Sequence, residues 1–83
     1  MVYPNPATEH LHVDLALRTK ENGQATVELR NMIGEVVYAE KIGISGYHAE
    51  TDISISKAIA AGVYFVIARI DDQVMRSEVV ISR

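Results

Sequence analysis

Apolar and polar side chains alternate strictly in residues 10–17, which read His10-Leu11-His12-Val13-Asp14-Leu15-Ala16-Leu17. The branched apolar side chains fall on the odd positions, while two histidines and an aspartate fall on even ones. A period of two residues is typical of a β-strand that buries one face and exposes the other. The stretch therefore predicts a half-buried strand at the start of the domain.

The same alternation continues along the rest of the chain. Further strands are predicted around Ala25–Leu29, Glu35–Lys41, Ala49–Ile55, Gly62–Ile70 and Val74–Ser82. The segment Gly62–Ile70 has apolar residues at both odd and even positions, which indicates a central strand or one covered on both faces. Met75, Val79 and Ile81 share one face of the last predicted strand, and Val80 adds an apolar residue to the other.

Turn-forming residues separate these predicted strands. Glycines end polar or flexible stretches at Lys20–Gly23, Asn31–Gly34 and Gly43–Gly46. Residues 56–62 predict a turn closed by Gly62 in a left-handed conformation, and Asp71-Asp72 predicts a tight hairpin turn. Tyr3-Pro4-Asn5-Pro6 predicts an extended lead-in, because proline fixes φ and lacks a donor. About seven short strands with frequent turns indicate a single all-β domain, an antiparallel β-sandwich.

Composition narrows the possible functions. The chain has 83 residues, no cysteine and a formal net charge of -3. Disulfides and thiolate metal sites are therefore excluded, and an acidic balance argues against nucleic-acid binding. No apolar run approaches the roughly 20 residues that span a bilayer, so membrane insertion is not expected. The first residues lack the basic flank and apolar stretch of a signal peptide.

Three segments, in this order and spacing, resemble the type IX secretion system C-terminal sorting domain known from Bacteroidota. The first is Tyr3-Pro4-Asn5-Pro6-Ala7-Thr8, followed by the strand around Leu11 and Val13. The second is Asn31–Val37, with Gly34 before a valine-rich strand. The third runs from Ile53 through Gly62-Val63-Tyr64 to a terminal apolar strand that ends in Arg83. The resemblance covers the chain from Tyr3 to Arg83.

The resemblance implies an immunoglobulin-like β-sandwich that serves as a secretion and sorting signal. Residues 1–83 would then be one C-terminal sorting domain, a fragment of a larger secreted protein with N-terminal cargo. The expected partners are the outer-membrane translocon and a sortase-like surface peptidase, and the expected destination is the cell surface or the medium. The chain departs from the family pattern at Asp71-Asp72-Gln73, where a glycine is usual, and at Ser77-Glu78, where a lysine is usual.

Several residues are candidates for recognition by the translocon. The terminal strand Val79-Val80-Ile81-Ser82-Arg83 would lie at a sheet edge and offer unpaired backbone groups that a receptor could extend. It could equally complete the core, or pair two copies of the chain into a dimer. Gly62 and Tyr64 match the family's glycine-x-tyrosine element and could either shape the fold or contact the translocon. The other motif residues, Tyr3, Pro4, Asn5, Pro6 and Gly34, are expected to be structural.

Sites of other kinds are not predicted. His10 and His12 lie on one strand face and could hold a metal together with His48, but a solvated face is the simpler expectation. Asp52, Asp71 and Asp72 lack a calcium-binding spacing, so turns explain them. No serine lies in a nucleophile elbow, and a small sandwich rarely encloses a cleft, so we expect no catalytic residues and no cofactor.

Two other functions remain open from the sequence. A carbohydrate- or protein-binding module would display a row of exposed aromatic side chains, whereas this chain has no tryptophan and aromatics total 6%. A structural spacer between a catalytic domain and the cell surface is the other alternative.

Overall fold

The computed structural model describes all 83 residues and contains seven β-strands and no helix. Accordingly, no helix long and apolar enough to cross a lipid bilayer is present. The strands are β1 Val2–Tyr3, β2 His10–Ala16, β3 Asn22–Arg30, β4 Val36–Ser45, β5 His48–Ser54, β6 Gly62–Ile70 and β7 Gln73–Ile81.

The strands form one sheet in the order β1-β2-β5-β4-β3-β6-β7, and every pair of neighbours is antiparallel. The sheet is rolled so that the two ends of this order meet. Ala7, which follows β1, forms a parallel bridge with Ile81 at the end of β7. The result is a nearly closed sheet around a single core.

The predicted fold class is confirmed in its coarser part: the protein is all-β, antiparallel and seven-stranded. The prediction of two separate sheets is not confirmed, because β4 and β5 are joined at Ser45↔His48. The predicted flexible link at Gly43–Gly46 is wrong for the same reason. Gly43 and Ile44 continue β4 against β3, and Ile44 is buried.

The turn between β4 and β5 explains how the two strands are joined. Gly46 has a φ of 59° and Tyr47 a φ of 62°. Positive φ at both central positions is what a type I′ hairpin turn requires. The chain therefore reverses in two residues, where the sequence pattern indicated a longer linker.

The core consists of 18 buried residues, all apolar apart from the hydroxyl of Tyr64. Alternation predicted the buried faces correctly, since Leu11, Val13 and Leu15 of β2 are buried and the histidines beside them are not. Burying apolar area is worth about 25 cal/mol per Å², so this one-sided pattern supplies the main force that holds the sheet closed.

The strand with apolar residues at both odd and even positions, Gly62–Ile70, lies inside the sheet, as predicted. β6 lies between β3 and β7 and buries Tyr64, Val66, Ala68 and Ile70 on its core face. On its outer face the Arg76 guanidinium lies over the Phe65 ring, 4.1 Å from the ring centroid. This cation–π contact covers part of the apolar surface that the sequence places on the outer side.

The remaining turns mostly follow the sequence. Asn31 organises the β3–β4 turn, because its side-chain oxygen accepts hydrogen bonds from the amides of Ile33 and Glu35. Asp71 forms the β6–β7 turn with a φ of 54°. Gly62 differs from the prediction: its φ of 155° is positive, but it begins β6 and does not cap a helical turn.

Candidate functional site

Residues 79–82 alternate between the core and the surface, and Arg83 follows them on the surface. Val79 and Ile81 are fully buried, whereas Val80 is 39% exposed and Ser82 and Arg83 are exposed. The terminal strand therefore completes the core with one set of side chains and presents the other set to solvent. Completion of the core, one of the two interpretations drawn from the sequence, applies to Val79 and Ile81. Availability for recognition, the other, concerns Val80 and Ser82.

The outer edge of β7 is covered along its carboxyl half by residues 5–7, which we call the clamp. The Asn5 side-chain oxygen accepts a hydrogen bond from the Val80 amide at 3.0 Å, and its amide nitrogen donates to the Glu78 carbonyl at 3.5 Å. The Ala7 amide donates to the Val80 carbonyl, and the Ser82 amide donates to the Ala7 carbonyl, each at 2.8 Å.

The prediction of an edge with unpaired backbone groups is therefore wrong for the carboxyl half of β7. The first half of β7 was not part of that prediction, and its outer side is unpaired, since β6 is the only strand paired with β7 and no clamp residue reaches Val74 or Arg76. Sequence reasoning missed the clamp because its two sides are 75 residues apart. The only local signal was the asparagine between two prolines, a residue that often bonds backbone groups in turns.

Arg83 is tied to the connection between β5 and β6. Its Nη2 atom donates to the carbonyls of Ile55 at 3.3 Å and Ser56 at 2.6 Å. No carboxylate forms a salt bridge with it. These two hydrogen bonds hold the guanidinium beside the β5–β6 connection.

Gly62 and Tyr64 lie directly beside the terminal strand. Gly62 pairs with Ile81, and Tyr64 pairs with Val79. The Tyr64 ring is buried, and its hydroxyl donates to the Ala60 carbonyl at 2.7 Å. The structure thus brings both residues to the candidate site, where they fix the backbone on which β7 rests.

The other motif residues have separate positions. Tyr3 pairs with His12, and the two ring centroids are 5.0 Å apart. Pro4 and Pro6 flank Asn5 of the clamp. Gly34 lies in the β3–β4 turn with a φ of 90°, and its carbonyl accepts a hydrogen bond from Arg30. Gly34 forms no hydrogen bond with the terminal strand.

The histidine and aspartate candidates are divided by the structure. His12 and His48 meet carboxylates on the outer face of β2 and β5, whereas His10 lies further along β2 opposite Ser54. Asp52 bonds to His12, but Asp71 forms a salt bridge with Lys20 at 3.0 Å. The three aspartates considered for calcium therefore do not form one site.

The fold and the terminal strand define a class of small β domain that presents its own carboxyl end at the surface. A family model described as the secretion system C-terminal sorting domain matches residues 1–82. The chain therefore belongs to this family of C-terminal sorting signals for type IX secretion, a family of signals and not of enzymes. No curated protein and no solved structure gives a significant match to the chain.

Membership of the family carries three functional statements. The domain directs export across the outer membrane to the cell surface or the extracellular space. It interacts with the secretion machinery, and it acts on behalf of an N-terminal cargo. The resemblance noted in the sequence is thus confirmed at the level of the family.

Proposed function

We propose that the outer-membrane translocon recognises the surface formed by Val80, Ser82 and Arg83 at the end of β7. The observation that carries this proposal is the alternation of Val79–Ser82, in which burial of Val79 and Ile81 turns Val80 and Ser82 outward, with the exposed Arg83 directly after them. Gly62 and Tyr64 act as positioning residues, because they pair with the buried members of the strand.

The clamp decides which kind of contact the translocon makes. Asn5 and Ala7 already bond the outward backbone groups of Val80 and the Ser82 amide. Strand addition at this end would first have to displace them, at a cost of about 1 kcal/mol for each hydrogen bond. Side-chain recognition, through an apolar contact at Val80 and charge pairing at Arg83, needs no such displacement.

Several finer features belong to the same proposal. Residues 1–83 form a single domain at the carboxyl end of a larger secreted protein, and a sortase-like surface peptidase acts after export. Because β4 and β5 pair only at Ser45↔His48, β1-β2-β5 and β4-β3-β6-β7 can be regarded as the two sheets of an immunoglobulin-like sandwich. A dimer would form through the unclamped edge at Val74 and Arg76.

Export of a periplasmic reporter fused ahead of residues 1–83 tests the recognition surface. Deleting the last five residues also removes Val79 and Ile81 from the core, so point variants are more informative. We expect the double variant Val80→Asp with Arg83→Glu to leave the reporter in the periplasm. Val74→Asp is the matched control, since Val74 is an exposed valine of the same strand.

Loss of export in either variant supports a role in recognition only if that variant still folds. The melting temperature of each purified variant has to stay above the assay temperature. Arg83→Glu also removes the hydrogen bonds from Arg83 to the carbonyls of Ile55 and Ser56, so some loss of stability is expected in the double variant. Normal surface display of the folded double variant would refute the proposal. Equal loss of display in Val74→Asp would also refute it, because recognition would then not be confined to the end of β7.

The sugar-binding alternative has little support from the surface. Among the aromatic side chains only Tyr3 and Tyr47 are largely exposed, each at 45%. They lie on β1 and in the β4–β5 turn and do not form a row along one strand face. Binding of the isolated domain on a glycan array would nevertheless favour that function over recognition by the translocon.

A further inference from the structure

A group of imidazoles and carboxylates occupies the outer face of β2 and β5. The antiparallel register places His12 opposite Asp52, Asp14 opposite Glu50, and Ala16 opposite His48. Alternate residues of a strand share a face, so His12, Asp14, His48, Glu50 and Asp52 all project to the same side. This face is remote in sequence from the terminal strand and has no part in the recognition proposed above.

Donor atoms from three of these side chains converge. One donor atom each from His12, Asp14 and Glu50 lie within 4.8 Å of one another. The Glu50 Oε2 atom is 3.7 Å from His12 Nε2 and 3.9 Å from His48 Nε2. His48 Nε2 also donates a hydrogen bond to Asp14 Oδ1. His12, Asp14 and Glu50 thus face one small volume, and His48 lies at its margin, in contact with Asp14.

A further carboxylate orients the first imidazole. His12 Nδ1 lies 2.7 Å from Asp52 Oδ1, a hydrogen-bonding distance, and the Tyr3 ring packs against the other side of the imidazole. With the proton on Nδ1, the lone pair of Nε2 points toward Glu50. Metal-binding histidines are usually held in this way, by a carboxylate that accepts the hydrogen bond from the second ring nitrogen.

The charges of the group also favour a cation. Asp14, Glu50 and Asp52 form salt bridges only with histidines, so no lysine or arginine neutralises them. The side chain of His12 is only 19% exposed and that of Asp14 35%, which partly shields the charges from solvent. Two ligating carboxylates balance the charge of one divalent ion.

We propose that His12 Nε2, His48 Nε2, Asp14 and Glu50 form a binding site for Zn²⁺, with Asp52 as the orienting carboxylate. Zinc takes four nitrogen and oxygen ligands at about 2.0–2.2 Å in a tetrahedron, which places the ligand atoms about 3.3–3.6 Å from one another. The observed 3.7 Å and 3.9 Å are close to these separations. His48 Nε2 and Asp14 Oδ1, now in direct hydrogen-bond contact, move apart when both bind the ion. On binding, His48 takes the tautomer that carries its proton on Nδ1, so that the lone pair of Nε2 can bind the ion.

The site lies on the face that the histidine spacing predicted to be solvated, but it uses a different pair of histidines. His10 and His12 were the pair suggested by sequence, but His10 is opposite Ser54 and has no carboxylate partner. The pair that the fold selects is His12 with His48, from different strands. His10 consequently provides a matched control on the same face of the same strand.

Isothermal titration of the full 83-residue chain with Zn²⁺ tests the site. We expect one ion per chain, and at least a tenfold weaker affinity in His12→Gln and in His48→Gln. Asp52→Asn should weaken binding by about 10- to 100-fold, the usual effect of losing an orienting carboxylate. His10→Gln should bind as the wild type does. Thermal melting without metal establishes that each variant is folded.

Co²⁺ supplies a second measurement, because its visible absorption reports tetrahedral coordination by nitrogen and oxygen ligands. We expect a tetrahedral spectrum in the wild type and in His10→Gln, and its loss in the double variant His12→Gln with His48→Gln. Absence of Zn²⁺ binding at millimolar concentration would overturn the proposal. So would equal weakening in all three single histidine variants, which would indicate adventitious binding to surface imidazoles.

Discussion

The Asn5 side chain bonds the edge of β7 in the way that the backbone of a neighbouring strand would. Its carboxamide bonds the amide of Val80 and the carbonyl of Glu78, as a neighbouring strand would do with its backbone. Ala7 then continues the pairing with true backbone groups. Since an amide side chain has both a donor and an acceptor, asparagine suits this role where leucine or alanine would not.

Removing the Asn5 carboxamide should destabilise the domain. We expect Asn5→Ala to lower the free energy of unfolding by about 1 kcal/mol, the usual net value of a hydrogen bond with a backbone group. For a domain of this size that corresponds to a fall in melting temperature of about 4–8 °C. Asn22→Ala is the control, because Asn22 is exposed and bonds only to the adjacent Glu21 side chain. An equal melting temperature for Asn5→Ala and wild type would contradict the clamp.

At the scale of the element, β7 has two halves with different surroundings. The residues that face away from β6 are Val74, Arg76, Glu78, Val80 and Ser82, since alternate residues of a strand bond to alternate sides. Only the later members of this set are paired with the clamp. The carboxyl half of β7 is thus bonded on both sides, whereas its first half is bonded only to β6. We expect the first half to open more easily.

Hydrogen exchange should resolve the two halves of β7. We expect slow exchange at the Val80 and Ser82 amides, which are bonded to Asn5 and Ala7, and fast exchange at the Val74 and Arg76 amides, which have no partner strand on that side. Amide-resolved NMR exchange of the isolated domain measures this directly. Uniform protection along the strand would mean that a second copy or another segment covers the first half.

At the scale of the whole molecule, the sequence predicted the faces of the strands better than their connections. The buried sides of β2, β3 and β5 follow from a period of two residues, which depends only on neighbours in the chain. The continuation of β4 through Gly43 and Ile44 was missed, because glycines there indicate a turn by composition. Pairing with β3 and burial of Ile44 outweigh that local preference.

The two candidate sites differ in how far the sequence could predict them. The alternation of Val79 through Ser82 is local, so both its buried and its exposed positions could be predicted from the sequence. The clamp and the histidine–carboxylate group depend on pairing between distant segments, Asn5 with Val80 and His48 with Asp14. No periodicity specifies which strands become neighbours, and that arrangement was available only from the fold.

The parallel bridge between Ala7 and Ile81 has a mechanical consequence. Where two segments run side by side in the same direction, tension on the first and last residues loads their shared hydrogen bonds together, in shear. Bonds loaded together break at a higher force than bonds opened singly. We expect the unfolding force, measured by pulling a single molecule through both termini, to fall in Asn5→Ala, and an unchanged force would contradict this. A domain held at its carboxyl end and pulled at its amino end would therefore resist unfolding.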